Sequence, residues 1–206
     1  MLKGLEYKDF LEYIKNNPDC NIVEMDLLNG KQGENGYIMT LYMPKIQFLL
    51  GFKIEYKTPQ EVLKIFNKLE NKLGTKMFRE LFGVIITDRG SEFLKYSILC
   101  ESVKNKNIRR TKIFYCDPAT PTQKPNIENI HKLVRKVFLK GNSLLDVTND
   151  DVLEVINNIN SLVKPKYNNK TPNEMFLQFY GKSVFKKLSL EVIPVEDIIL
   201  LHYKNK

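Results

Sequence analysis

The chain is poor in the residues that build a disulfide or soft-metal framework. Among its 206 residues are three cysteines, Cys20, Cys100 and Cys116, and two histidines, His131 and His202. No two cysteines form a CxxC pair. An odd and sparse count favours a reducing cytosol over a disulfide scaffold. A zinc site of the Cys/His kind has too few ligands to draw on. No apolar run reaches the about 20 residues of a membrane span. The first residues, MLKGLEYKDFLEYIK, carry acids and lack the apolar core of a secretory signal. Internal repeats and low-complexity tracts are also missing. What remains is 43% hydrophobic and 27% charged, the composition of a soluble globular domain long enough for one sizeable core.

Acid is scarce in one place. The formal charge is +8, and residues 104–140 hold ten basic residues (Lys104, Lys106, Arg109, Arg110, Lys112, Lys124, Lys132, Arg135, Lys136 and Lys140) against Asp117 and Glu128. Elsewhere acids and bases balance. A polyanionic partner such as nucleic acid fits that placement, and so does an ordinary lysine-rich surface.

Residues 3–17 have a helical pattern with Phe10, Tyr13 and Ile14 on one side, stopped by Pro18. Three apolar stretches, 21–28, 36–42 and 46–54, are separated by Asn29-Gly30 and Met43-Pro44-Lys45, as in an antiparallel meander. Thr58-Pro59-Gln60-Glu61 has the form of a capping box with proline at the first helical position, and Gly74 closes the helix behind it. The run 82–87 suits a strand buried on both faces. A helix over 92–103, a strand over 111–116, a proline-rich loop over 117–125 and a helix over 126–140 follow. Thr148 opens a helix over 148–163, and Thr171-Pro172-Asn173-Glu174 opens another. The apolar tail 195–203 is expected to pack back on the body. A meander followed by alternating strands and helices argues for a mixed sheet with helices on its faces.

Three carboxylates stand out by position. Asp26 lies near the end of the first strand, Asp88 follows the fourth, and Glu128 sits in the first turn of the helix after the fifth. Carboxylates so placed can converge on one rim of a sheet and hold hard divalent cations. Two such ions about 3.5–4 Å apart can activate an attacking oxygen and stabilise a leaving one in phosphoryl transfer. At about 100° per residue, Ile127, Ile130, Leu133, Val134, Val137 and Phe138 fall opposite Glu128, while Lys132 and Arg135 fall within about 40° of it. Glu128 also reads as half of a surface Glu–Lys pair. Glu24, on the same strand face as Asp26, and Glu92, four residues after Asp88, are competitors. Asp117 suits a turn. His131 reads equally as a substrate contact or a satisfied structural histidine.

The blocks "VEMD", "TDRGSEF", "FYCDP" with Gln123-Lys124, "IEN" with His131 and Arg135, and "NKTPNEMF" occur in the order seen in DD-E transposases of bacterial insertion sequences. The chain resembles the IS-thirty family in particular, from about Tyr7 to its end. The resemblance implies an α/β, ribonuclease-H-like fold: a mixed five-stranded sheet, three antiparallel strands then two parallel, flanked by helices. It implies a helical extension over 1–20, an integrase-type catalytic core over 21–180 and a helical tail over 181–206 packing on the core. It further implies a catalytic and metal-binding triad of Asp26, Asp88 and Glu128 holding two Mg2+ ions, with Mn2+ as substitute. Gln123, Lys124, His131, Lys132, Arg135 and Lys136 become DNA contacts. The implied activity is metal-dependent DNA cleavage and strand transfer, with DNA and further copies of the chain as partners in the bacterial cytoplasm on the nucleoid, and neither membrane nor organic cofactor. A silent remnant acting as a DNA-binding module, or a purely hydrolytic nuclease of the same fold, are the alternatives. The chain departs from the family at Thr122 and Pro125, where tryptophan and glycine are usual. The thirty-nine residues between Asp88 and Glu128 imply an insertion near 104–110. The family's N-terminal helix-turn-helix region has no counterpart in this sequence.

Overall fold

A computed structural model describes residues 2–200. Its framework is one mixed sheet of five strands in the order β3-β2-β1-β4-β5. The strands are β1 (Ile22–Asn29), β2 (Tyr37–Met43), β3 (Phe48–Ile54), β4 (Val84–Thr87) and β5 (Lys112–Tyr115). β1, β2 and β3 pair antiparallel, and β4 and β5 add in parallel beside β1. This is the expected sheet. The turns make it so: Pro44 and Lys45, with Gln47 at φ 52°, reverse the chain between β2 and β3.

Strand alternation divides the core. Val23, Met25, Leu27, Met39, Leu41, Phe48 and Ile85 point to one face. There they meet α2 (Pro59–Leu73), α3 (Thr75–Leu81) and α7 (Pro172–Lys187). Leu28, Ile38, Tyr42 and Leu49 point to the other, under α5 (Pro125–Val137) and α6 (Asn149–Asn160). On that face α1 (Tyr7–Asn16) sets Phe10 against Val84, Ile86 and Phe114. α6 lies close on β3 because Gly51 has no side chain: a Cβ there would stand 3.0 Å from Val152 and Ile156 carbons. Asn160 then covers the outer edge of β3, accepting from the Leu49 N–H at 2.9 Å and donating to its carbonyl at 2.8 Å.

The threonine caps form as read. Thr148 with Asp151 and Thr171 with Glu174 close reciprocal capping boxes. Thr58 caps α2 by accepting the Glu61 N–H, while the Glu61 carboxylate turns to Lys64 instead of completing a box. Other boundaries moved. Gly74, at φ 84°, ends α2 but also begins α3, an element the sequence reading missed. The helix expected over 92–103 shrinks to α4 (Tyr96–Cys100). α5 stops at Val137, three residues short of the expected end, where the Arg135 guanidinium donates to the Phe138 carbonyl.

Between α4 and β5, residues 101–111 form an excursion closed by an isolated antiparallel bridge between Glu101 and Arg109. A buried ion pair holds this excursion down. Arg110 and Glu70 are both fully buried and 3.1 Å apart, and Arg110 also donates to the Leu99 carbonyl and to Asn67. Burial alone would raise the Glu70 carboxyl. The hydroxyls of Ser102 and Thr75, the Val103 N–H and Arg110 hold it below the usual value instead. Arg110, counted above among charges free for a polyanion, is a core residue.

Past Gly181, where α7 kinks at φ 79°, Val184, Phe185, Leu188 and Leu190 join the core. Val195 and Ile199 are exposed, and Leu200 packs on the α5–α6 side. The expected tail beyond residue 200, with His202, lies outside the described residues. No described helix is long and apolar enough to cross a membrane.

Candidate active site

β1 and β4 run parallel with Glu24 opposite Ile86. The pairing ends there: Asp26 follows two residues on within β1, and Asp88 two residues on, one past the end of β4. Both lie by alternation on the α5 side of the sheet. Asp26 is partly buried within β1, and Asp88 is exposed just past the end of β4, with its carboxylate turned back to accept the Gly90 N–H at 2.8 Å.

The third acid arrives on α5, and Glu24 determines where that helix begins. Lys124, at the N-cap, supplies no capping side chain. Glu24 does so from β1, accepting the Ile127 N–H and the Asn126 amide, each at 2.6 Å. A buried carboxylate is costly unless its oxygens are satisfied, and free N–H groups at a helix start need an acceptor. Each need answers the other. Burial raises the Glu24 carboxyl, with the two α5 donors opposing. The competitor of Asp26 is thereby a clamp between β1 and α5, a role no local pattern in the sequence announces.

Glu128, one residue past that clamp, is exposed, and its side chain has no hydrogen bond or ion pair among the described residues. The expected closure of three acids about one point is not formed: among the described residues no three His, Cys, Asp or Glu side chains are grouped to hold a metal ion. A cation is there nonetheless. Lys124, 5% exposed, places its ammonium 3.4 Å from Asp26 Oδ2 and 3.2 Å from the Met25 carbonyl. Lys124 was expected on DNA, and the structure instead buries it against the first aspartate. Hard carboxylate oxygens are the donors a divalent cation takes, so Asp26, Asp88 and Glu128 fit such an ion by chemical type, and Asp26 already attracts a positive charge.

The other expected contacts divide. Gln123 closes the 117–123 loop, donating to Asp117 Oδ2 at 2.8 Å and accepting the Asp117 N–H at 2.7 Å. Arg89 donates to the Cys116 carbonyl and approaches Asp117, tying that loop to the end of β4. Arg135 donates to the Asn29 and Phe138 carbonyls, stapling α5 to the end of β1. His131 Nε2 lies 2.8 Å from Thr40 Oγ1, whose hydroxyl donates to the Asp26 carbonyl. That chain makes Nε2 the protonated nitrogen. Burial lowers the imidazole to about 4, against the pull of Asp26. Lys132 and Lys136 remain exposed on α5.

Glu92 is more than the alternative to Asp88 that its spacing suggested. It is buried beneath Gly90, where a Cβ would meet its carboxylate at 2.7 Å, and its Oε2 has no partner. Burial raises its pKa, the Lys57 ammonium at 3.5 Å opposes, and Asp88 adds to the rise. A side chain in place of the glycine of "DRGSE" would push the Glu92 carboxylate out of its present position.

No protein-family model matches the chain. It is similar to the ORF3 product of Spiroplasma virus SpV1-R8A2 B, which is named as an integrase: 31% identity over 156 residues, 76% of this chain and 45% of that one. It is 26% identical over 152 residues to the transposase InsI of insertion sequence IS30C from Escherichia coli (strain K12), covering 74% of this chain and 37% of that one. The chain thus spans less than half the length of the curated relatives it matches. Among solved structures, the catalytic core domain of BIV integrase superposes with a TM-score of 0.53 at 15% identity, over 77% of this chain and 95% of that one. The fold is ribonuclease-H-like, as the sequence resemblance implied.

Proposed function

We propose that this chain, a homologue of insertion-sequence transposases, is a transposase catalytic core that cuts DNA and joins the freed strand to a target. The observation supporting this reading is that β1, which carries Asp26, pairs in parallel with β4, which Asp88 follows directly, beside an α5 whose first turn Glu24 holds in place. In this reading Asp26, Asp88 and Glu128 hold two Mg2+ ions, for which Mn2+ substitutes. Bound divalent cations supply Lewis acidity at the attacking and leaving oxygens of a phosphodiester. The protein's own part is positioning and charge. Glu24 fixes the helix that carries Glu128. His131, neutral at physiological pH, orders Thr40 beneath Asp26 and adds no charge. Lys132, one turn after Glu128, and Lys136, about 12 Å along α5 from it, face solvent and meet phosphates, with Gln123, Lys124 and Arg135 shaping the loop and helix that approach them. Work on paired DNA ends by several copies, in the bacterial cytoplasm on the nucleoid, belongs to the same proposal.

A labelled donor-end duplex and a target plasmid, incubated with Mn2+, test this reading. Nicked and joined products are expected from the wild type. Asp26→Asn, Asp88→Asn and Glu128→Gln should lose both while keeping circular dichroism and DNA binding. Full activity of Glu128→Gln, or the absence of metal-dependent products from a DNA-binding wild type, overturns it.

A further inference from the structure

The starts of the parallel strands, a strand's length from Asp88, border an open cleft of about 820 Å³. Its walls include Lys3, Arg79, Arg109 and Lys112, from three separate segments of the chain. Asp19 and Glu80 are the acids in its lining. None of the four cations forms an ion pair with a carboxylate among the described residues. That is unlike the buried cations of this chain: Arg110 is neutralised by Glu70, Lys124 by Asp26 and Lys53 by Glu55. Here aromatic faces hold the charges instead. Lys112 Nζ lies 4.2 Å from the centre of the Tyr13 ring, and Arg109 lies 5.2 Å from that of Tyr96. A ring face positions a cation without using up its hydrogen-bond donors.

We propose that this cleft is a second polyanion site, taking the phosphodiester backbone of a nucleic acid across the starts of β4 and β5. The volume is many times that of one phosphate. The lining is charged rather than apolar, against the pattern of small-molecule pockets. Unpaired cations drawn from several segments match a ligand with repeated charges. The site stands apart from the rim of Asp26 and Asp88: Val84, which lines the cleft, is about 13 Å from Asp88 along the strand.

The test is fluorescence anisotropy of a labelled duplex across a salt series in EDTA, where metal-dependent chemistry is silent. Arg79→Glu/Arg109→Glu should weaken binding about tenfold or more and lower the slope of log K against log salt by about 1.8, the share of two phosphates. Arg79→Lys/Arg109→Lys should keep the wild-type slope. Lys132→Glu/Lys136→Glu should cause a separate loss that adds to the first. Should the double reversal fail to fold, Arg79→Gln alone should lower the slope by about 0.9. Wild-type affinity and slope in the charge-reversed variant overturn the site. So does Arg79- and Arg109-dependent binding to phosphatidylserine vesicles with duplex binding unchanged. Loss of strand cutting in Asp26→Asn with the salt slope intact separates this site from the proposed catalytic one.

Discussion

Lys124→Met asks whether the ammonium on Asp26 stands in the place of a divalent ion. The charges are 3.4 Å apart, so at an effective dielectric near 20 their attraction is roughly 5 kcal/mol. Removing a nearly buried ammonium from water costs several kcal/mol and offsets most of this. The net pair then contributes about 1–2 kcal/mol. Any cation that binds Asp26 must displace it, so the variant should take Mn2+ about tenfold more tightly, at about 1.4 kcal/mol per decade. Methionine keeps the length and the apolar stem, so packing near Met25 is preserved. Two measurements check this. Without metal, the variant should be about 1–2 kcal/mol less stable to urea, since Asp26 loses its partner. At a Mn2+ concentration a hundredfold above the wild-type Kd, metal should stabilise the wild type by about 2.7 kcal/mol and the variant by about 4.1. The order of stability should therefore narrow or reverse on adding metal. Equal Mn2+ affinity in both proteins, or weaker affinity in the variant, refutes the reasoning.

Three other perturbations are decided by partners in the structure. Glu24→Ala orphans the Ile127 N–H and the Asn126 amide; at about 1–3 kcal/mol each, less the relief of a buried charge, it should cost about 2–4 kcal/mol in urea titration and speed amide exchange at Ile127. Arg110→Met leaves Glu70 charged and buried and should cost about 3 kcal/mol while DNA affinity stays unchanged; a fall in affinity without a fall in stability would return Arg110 to the surface. His131 is lowered to about 4 by burial, against about 6.5 in the unfolded chain. Its contribution is complete above pH about 6.5 and is lost as pH falls toward about 4, because the unfolded state then binds the proton more readily. His131→Gln should flatten that part of the pH–stability curve.

Most of the fold was legible because it is written in short-range terms. Proline and glycine punctuate the meander, threonine caps open α2, α6 and α7, and the apolar run ending at Thr87 gives β4 its burial on both faces. The misreadings share a cause. Gly74 fits a helix end, and nothing local says that the next residue starts another helix. At the C-terminal end of α4, Arg110, ten residues after Cys100, takes the Leu99 carbonyl with its guanidinium and that of Cys100 with its N–H. Where the partner is distant in sequence, periodicity has nothing to register.

The same distinction governs the charge. Ten basic residues in one run of sequence suggested one basic surface, but β5 passes through the middle of that run. Lys112 begins the strand, and the chain crosses the sheet before Lys124. Residues 104–112 therefore gather near the strand starts and 124–136 near the opposite rim. Arg110 is spent in the core and Lys124 on Asp26. Arg135 is bound to two backbone carbonyls. Net charge predicts a polyanionic partner because fields add over distance. It does not predict a contact, because a contact requires a cation with no nearer claimant. On that criterion the cleft at the strand starts, with four cations unpaired by carboxylates, has a stronger claim on a phosphate backbone than several α5 positions that the sequence put first.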